Sequence, residues 1–212
     1  MYTPPRGEKV LQDLMVNWVE YLGDGQRFPA DPLLKMCIAH YQFEAIHPFS
    51  DGNGRTGRVL NLLYLVQERL LDLPVLYLSK YIIVHKEDYY YHLGGVIQRR
   101  DWKSWILYLL DAVEKTAVLT QDLIGEISIQ MAATLEYGKS KIRWYSKEVN
   151  ELIYSQPYLK AKSLGELLKV SSRTTLTKYF AELSDAKVLF PKKDGKEVDY
   201  VNEELVRILG DK

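Results

Sequence analysis

The chain has 212 residues, of which 47% are apolar, enough to bury one core or a core with a small second domain. Its formal net charge is zero, which excludes an overall field that would draw the whole molecule to nucleic acid or to an acidic membrane. No apolar run approaches the roughly 20 residues needed to span a bilayer. The single cysteine, Cys37, cannot form an internal disulfide, so we expect a reducing compartment, with the cytoplasm as the default.

The first part of the sequence is predicted to be helical. Apolar residues recur with helical period from Gly7 to about Glu136, and no stretch has the alternation typical of a strand. After a glycine-rich turn, residues 59–71 are apolar nearly all round, as expected of a helix buried at the centre of a helical domain. Turn signals lie at Gly23–Pro29, at His47–Gly54 and around Pro74.

One helix in this part has clear start and stop signals. Asp31 supplies an N-cap oxygen and Pro32 a first-turn proline, so the helix is predicted to begin there. We expect it to end at His47, because Pro48 disfavours α geometry in the residue before it.

The charge balance changes after Gly138. Residues 1–138 hold 13 Lys and Arg against 17 Asp and Glu, a net −4, whereas residues 139–212 hold 15 against 11, a net +4. We therefore predict two domains, a helical domain over residues 1–138 and a smaller domain over residues 139–212.

The smaller domain is predicted to be a winged helix. Its pattern indicates three helices followed by a β-hairpin wing, with Lys193–Lys196 as the hairpin turn and Tyr200-Val201 on the returning strand. The predicted fold class is thus mainly α. The three helices are expected at about Ser140–Ser155, Ser163–Lys169 and Arg173–Ala186.

The segment HPFSDGNGRTGR, at His47–Arg58, has the features of an anion-binding loop. Two glycines around Asn53, directly before a helix, let backbone N–H groups approach an anion at the positive end of the helix dipole. Arg55 and Arg58 are three residues apart in the first helical turn, so both guanidinium groups can reach one polyphosphate.

Two further residues of this segment fit phosphoryl chemistry. Asp51 is a hard oxygen ligand placed to hold Mg²⁺ against phosphate oxygens. His47 is the nearby base for a hydroxyl nucleophile. Two alternatives are a loop that only caps a helix and a metal site at His40, Glu44 and His47, which share a helical face. A second Glu-x-x-His is absent from the sequence, and Pro48 would disturb such a site.

These residues resemble the signature HPFx(D/E)GNGRxxR of the Fic family of AMP transferases, which is matched at every specified position of His47–Arg58. The lead-in HYQFEAIHPF, the segment Asp88–Leu93, the helix DWKSWILYLL and a winged helix after the core are also similar to that family. The resemblance extends over essentially the whole chain. It implies a Fic-type α-helical core and transfer of AMP from ATP to a hydroxyl of a protein target, with self-modification as one outcome.

The resemblance also implies a role for each residue of the site. His47 would deprotonate the target hydroxyl and Asp51 would bind Mg²⁺, while Phe49 would anchor the loop in the core. Tyr90 would line the adenine pocket, with ordinary helix packing as the alternative. The triphosphate would be held by Gly52, Asn53, Gly54, Arg55, Thr56, Gly57 and Arg58, with Arg58 on the γ-phosphate.

Further features of the family bear on which group is transferred from the nucleotide and on how the activity is regulated. In the branch of the family that phosphorylates, lysine replaces the second glycine, so Gly54 favours AMP transfer over phosphotransfer, and phosphocholine transfer is a rarer alternative. We find no match to the inhibitory-helix motif [S/T]xxxE[G/N]. The family's upstream flap is not recognisable before Tyr2, so the sequence is expected to be part of a longer protein.

The third helix of the winged helix suggests a second kind of partner. Serine, threonine and basic side chains at the start of such a helix can contact phosphates and base edges of DNA. Protein interaction or formation of a homodimer is the alternative use of a winged helix, and a DNA-binding regulator is the alternative function for the chain. The candidate DNA contacts are Ser172, Arg173, Thr174 and Lys178.

Overall fold

The computed structural model describes residues 2–194 and 197–210. Helices dominate the described residues, and all strands lie in the C-terminal part. The elements in chain order are α1 (Glu8–Gly23), α2 (Pro32–Ile46), α3 (Asn53–Gln67), α4 (Leu78–Val84), α5 (Lys86–Arg99), α6 (Trp102–Lys141), α7 (Lys147–Ser155), β1 (Tyr158–Leu159), α8 (Ala161–Leu168), α9 (Arg173–Asp185), β2 (Phe190–Asp194), β3 (Glu197–Val201) and α10 (Glu203–Gly210).

The chain divides into two compact units, Met1–Thr120 and Gln121–Lys212. The division falls within α6, which is one continuous helix. The domain boundary expected at residue 138 stays a prediction. None of the helices in the described ranges, 2–194 and 197–210, is both long and apolar enough to cross a membrane.

The first unit is built around the buried helix α2. The indole of Trp18 in α1 donates a hydrogen bond to the carbonyl oxygen of Ala39 at 2.8 Å, and that of Trp105 in α6 donates to the carbonyl oxygen of Cys37 at 2.9 Å. Both indoles are buried, and each N–H finds a backbone partner, as buried Trp side chains usually do. These two bonds fix α2 between α1 and α6.

The ends of α2 agree with the sequence signals. The Asp31 carboxylate accepts hydrogen bonds from the backbone N–H groups of Leu33 at 2.8 Å and Leu34 at 3.4 Å, and Pro32 occupies the first turn. The helix ends at Ile46, and His47 is its C-cap. The backbone of His47 is left-handed, with φ 53° and ψ 56°, rather than the extended form that Pro48 favours.

Helix α3 is less buried than its composition suggests. Tyr64 and Leu65 are in the core, but Val59 and Leu63 are each 53% exposed. The prediction that this helix is surrounded by protein on all sides is therefore wrong for one of its faces. The exposed face follows from position: α2 covers only one side of α3, with the close approach at Gly57.

The second unit has the order of elements of a winged helix: α7, β1, α8, α9 and then the β2–β3 hairpin. The three strands form an antiparallel sheet in the order β1-β3-β2, with Phe190 opposite Val201 and Lys192 opposite Asp199. A mainly helical fold with a small C-terminal domain containing a hairpin is therefore confirmed. Of the predicted hairpin turn, Lys193 and Asp194 belong to β2, whereas Gly195 and Lys196 lie outside the described residues.

The prediction of one helix from Ser140 to Ser155 is wrong, because α6 ends at Lys141 and a separate helix, α7, begins at Lys147. Tyr145 lies on the face of Gly138, where an added Cβ would be 2.5 Å from the ring, and its hydroxyl donates to Asn150 Oδ1 at 2.7 Å. The Ser146 hydroxyl then accepts from the backbone N–H of Val149 and caps the new helix. The strand β1 and the helix α10 were not predicted from the sequence.

Candidate active site

The loop between α2 and α3 is held by one buried side chain. Asn53, which is 3% exposed, accepts a hydrogen bond from the backbone N–H of Phe49 at 2.9 Å through Oδ1. Its Nδ2 donates to the carbonyl oxygen of Phe49 at 2.6 Å. One amide thus satisfies both backbone groups of a residue four positions away and closes the loop.

Phe49 itself does not anchor the loop in the core. Its side chain is 50% exposed, and its ring lies beside that of Phe43, with ring centroids 6.3 Å apart. The role expected from the family resemblance is therefore wrong for this side chain. Because Asn53 binds the backbone of Phe49, the ring is free to face outward.

The glycine turn opens the N-terminal end of α3. Gly52 has φ 84°, a conformation that L side chains rarely adopt, and it is the N-cap of the helix. The carboxylate of Asp51 accepts from the backbone N–H of Gly52 at 2.7 Å and lies 3.2 Å from the Arg55 guanidinium. The Thr56 hydroxyl donates to the carbonyl oxygen of Gly52 at 3.1 Å.

A cavity of about 430 Å³ opens in front of this turn. One wall is the loop and the first turn of α3, and the opposite wall comes from α4 and α5. The loop side is polar and carries two arginines, whereas the side formed by α4 and α5 is mainly apolar and aromatic but includes one lysine. The lining residues are His47, Ser50, Asp51, Gly52, Asn53, Gly54, Arg55, Arg58, Ile82, Ile83, Lys86, Tyr89 and Tyr90.

The structure brings most of the predicted site residues to this cavity, but not Thr56 and Gly57. Thr56 instead secures the first turn of α3 through Gly52. Gly57 is buried on the opposite face, toward α2, where an added Cβ would lie 2.6 Å from Glu44 Oε1 and 3.2 Å from His40 Cε1. The geometry thus gives Gly57 a packing role between the two helices.

The two arginines differ in their surroundings. The Arg55 side chain is 75% exposed and forms an ion pair with Asp51. The Arg58 side chain is half-buried, its Nε donates to Ser79 Oγ at 3.1 Å, and its Nη1 would lie 3.2 Å from a Cβ at Gly54. Arg58 is therefore the better fixed of the two cations.

The aromatic wall consists of two adjacent tyrosines with different environments. Tyr89 is buried and its hydroxyl lies 3.0 Å from His40 Nε2, and burial raises the pKa of that hydroxyl well above its ordinary value. Tyr90 is 58% exposed and packs edge-on against Tyr89, with the Lys86 ammonium 6.0 Å from its ring centroid. A ring that is exposed at a cavity can stack on a flat ligand, whereas a ring used for core packing would be buried.

Lys86 is a site residue that the sequence reasoning missed. It precedes the paired tyrosines by one helical turn and adds a third cation to the cavity. The spacing Lys-x-x-x-Tyr on a helix was the available signal, because residues four apart share a face.

The alternative metal site is not supported. His40 is buried, and burial, followed by the charge of Arg58, lowers its pKa to about 4. In the part of the chain that the structure describes, no group of three or more His, Cys, Asp or Glu side chains could hold a metal ion. Asp51 remains a suitable ligand for Mg²⁺, because this ion often takes one or two carboxylates together with substrate phosphates.

All four candidate DNA contacts at the start of α9 are exposed. The Ser172 hydroxyl caps the helix by accepting from the backbone N–H of Thr175, and Lys178 lies 4.0 Å from Glu182. The geometry does not distinguish DNA from a protein partner here.

Two protein-family models match the chain. Residues 1–65 match the Fic/DOC family, and residues 130–205 match the C-terminal domain of the SoFic-like protein adenylyltransferases. The first of these matches includes the whole of the loop His47–Arg58.

Similar curated proteins bear the name protein adenylyltransferase. The chain is 31% identical to fic-1 of Caenorhabditis elegans and 43% identical to fic-1 of Caenorhabditis briggsae, each over 155 residues. It is 30% identical to Fic of Aedes aegypti over 148 residues. These alignments cover 73%, 73% and 68% of this chain, which spans 28% of the length of each relative.

A solved structure has the same fold. The crystal structure of a Fic family protein from Desulfovibrio desulfuricans G20 matches with a TM-score of 0.50 and 23% identity, over 94% of this chain and 56% of that one.

Helical core, glycine turn and C-terminal domain together define a Fic-type protein with a small appended domain. The chain belongs to the Fic/DOC family, and its C-terminal part is of the SoFic-like type.

Proposed function

We propose that the chain transfers AMP from ATP to a hydroxyl group of a protein. The observation that supports this most directly is the cavity in front of α3, which joins a base, an anion cradle and an aromatic wall. The names of the similar proteins support the same activity.

The cradle suits the triphosphate. Gly52 and Gly54 flank Asn53 at the N-terminus of a 15-residue helix, where the dipole and the backbone N–H groups favour anions. Arg58 would hold the γ-phosphate, because Ser79 already orients its guanidinium. Tyr90 would receive the adenine, and Lys86 adds positive charge on the same wall.

His47 would act on the acceptor. The hydroxyl oxygen of the target forms a bond to the α-phosphorus, the bond from that phosphorus to the bridging oxygen breaks, and pyrophosphate leaves. The proton of the hydroxyl passes to the imidazole of His47. Asp51 would hold Mg²⁺, which supplies positive charge for the polyphosphate when it is bound.

Phosphotransfer on the same fold is the competing reaction. Gly54 argues against it, because a side chain at this position would meet Arg58 Nη1, 3.2 Å from its Cβ. With glycine, the arginine is unobstructed and can bind the terminal phosphate.

The acceptor protein is unassigned, and the chain itself is one candidate. We further propose a cytoplasmic location, from the single cysteine.

Labelled ATP separates the two reactions. Purified protein is incubated with Mg²⁺ and ATP labelled at the α- or the γ-phosphate, with and without added proteins. Label from the α position alone on protein supports AMP transfer. Label from the γ position alone would establish phosphotransfer instead. Protein that carries label from neither position would contradict the proposed activity.

A further inference from the structure

Glu44 is a half-buried carboxylate near Gly54 and Gly57 at the N-terminal end of α3. The proposed reaction assigns it no role. It lies on α2, one turn before His47, and its Oε1 is buried with no hydrogen-bond partner. Leaving a buried carboxylate oxygen unpaired costs free energy, and such groups in native structures call for an explanation.

The helix opposite leaves room for this carboxylate. A Cβ at Gly57 would lie 2.6 Å from Glu44 Oε1, so only glycine fits there without movement. A Cβ at Gly54 would lie 3.9 Å from Glu44 Oε1 and 3.2 Å from Arg58 Nη1. Because both atoms are that near one point, they are no more than about 7 Å apart, yet they form no direct ion pair.

The surroundings of Glu44 hold opposing influences on its charge. Burial raises the pKa of its carboxyl group, while the charges of His47 and Arg58 lower it. His40 on the same helix also faces Gly57, and the charge of Glu44 contributes to the raised pKa of Tyr89 on α5. The electrostatic influence of His47 and Arg58 thus favours the ionised form of Glu44, against the effect of burial.

We propose that Glu44 is a positioning residue for Arg58 that takes up a proton from solvent when a polyphosphate occupies the cavity. In the empty site, the carboxylate attracts the guanidinium and, with Ser79, holds it at the edge of the cradle. A bound polyphosphate engages Arg58 and adds negative charge, so burial then favours the neutral acid. The proton comes from water or buffer and ends on a carboxyl oxygen of Glu44.

This inference rests on the proposed function only in that the cavity binds a polyphosphate. Calorimetry of inorganic triphosphate binding with Mg²⁺, in buffers of different ionisation enthalpy at pH 5 to 7, gives the number of protons taken up. We expect the wild-type protein to take up more protons than Glu44→Gln, by a sizeable fraction of one proton per site. Glu136→Gln, at an exposed carboxylate of α6, should match the wild type.

Equal proton counts in the wild type and Glu44→Gln would overturn the inference. If Glu44→Gln fails to fold, difference infrared spectra of the wild type serve instead: triphosphate should produce the C=O band of a protonated carboxyl, and its absence would count against Glu44. Neither measurement needs transfer. Failure to label protein with AMP would therefore overturn the proposed function while leaving this result standing.

Discussion

Asn53 binds both backbone groups of Phe49, accepting from its N–H at 2.9 Å and donating to its carbonyl oxygen at 2.6 Å. The asparagine between the two glycines thus shapes the loop from inside. It belongs to the cavity wall as well, so the same side chain links loop stability to ligand binding.

Asn53→Ala should therefore lower both stability and nucleotide affinity. Two backbone groups lose a buried partner, which typically costs about 1 to 3 kcal/mol in the free energy of unfolding. Urea unfolding and calorimetry with Mg·ATP measure the two effects. Asn17→Ala, at an exposed position of α1, is the control and should change neither. Normal Mg·ATP affinity in Asn53→Ala would show that the cradle does not depend on this clamp.

His47→Ala should abolish transfer and leave nucleotide binding largely intact, because the base acts on the acceptor and not on the phosphates. The loss should be at least about a hundredfold, the usual contribution of a general base. Transfer of labelled AMP and Mg·ATP calorimetry give the two readouts. His85, which stacks on Tyr81 and is not among the lining residues, provides the control His85→Ala. Full transfer by His47→Ala would end the assignment of His47 as the base.

Arg58→Ala should weaken ATP binding by about tenfold or more while changing AMP binding little, since AMP lacks the γ-phosphate. Arg55→Ala should have a smaller effect, because its exposed side chain is screened by solvent and shared with Asp51. Calorimetry with both nucleotides compares the two variants. Equal losses of ATP and AMP affinity in Arg58→Ala would place this arginine on another part of the nucleotide.

Gly57→Ala should destabilise the protein by about 1 to 3 kcal/mol, as overpacking usually does. The added methyl group would meet Glu44 Oε1, and Glu44→Ala in the same chain should recover part of the loss. Gly125→Ala is the matched control: nothing lies within 4 Å of its Cβ position in α6, so alanine should be neutral or stabilise by up to about 1 kcal/mol. Thermal unfolding of all four proteins decides the matter, and equal effects at the two glycines would contradict the packing role.

The buried His40 should make stability fall between about pH 6.5 and pH 4. Its pKa is lowered from 6.5 to about 4, so as the pH falls the unfolded chain binds this proton before the folded protein does. The full effect is roughly 3 kcal/mol. The carboxyl pKa of Glu44 is raised, so this residue has the opposite effect on the pH dependence of stability. Because Glu44 is present in both the wild type and His40→Phe, comparing these two proteins isolates the effect of His40. Urea unfolding across this range should show the loss in the wild type only, and parallel curves would exclude it.

The sequence alone was sufficient for the features that depend on local chemistry. The N-cap at Asp31, the end of α2 at His47 and the glycine turn at Gly52 each follow from one or two side chains and their effect on the adjacent backbone. The comparisons bear out the family, and the structure bears out the helical core with a small domain containing a hairpin.

Features that depend on which helix lies opposite were not predicted. Gly57 belongs to the glycine-rich motif, but its neighbour is Glu44 on another helix. The family resemblance implied that Phe49 would anchor the loop, yet Asn53 takes that role. Lys86 reaches the cavity because α5 packs beside the loop, and its spacing from Tyr90 does not indicate which element lies opposite that face.

The left-handed backbone of His47 sets local stability against the proposed role of its side chain. A residue with a side chain at φ 53° costs up to roughly 1 to 2 kcal/mol relative to a relaxed conformation, and glycine would avoid that cost. The most stabilising replacement at this position is thus one that removes the imidazole. Selecting this protein for stability alone would favour loss of the proposed base, so a screen for heat-resistant variants has to hold position 47 fixed.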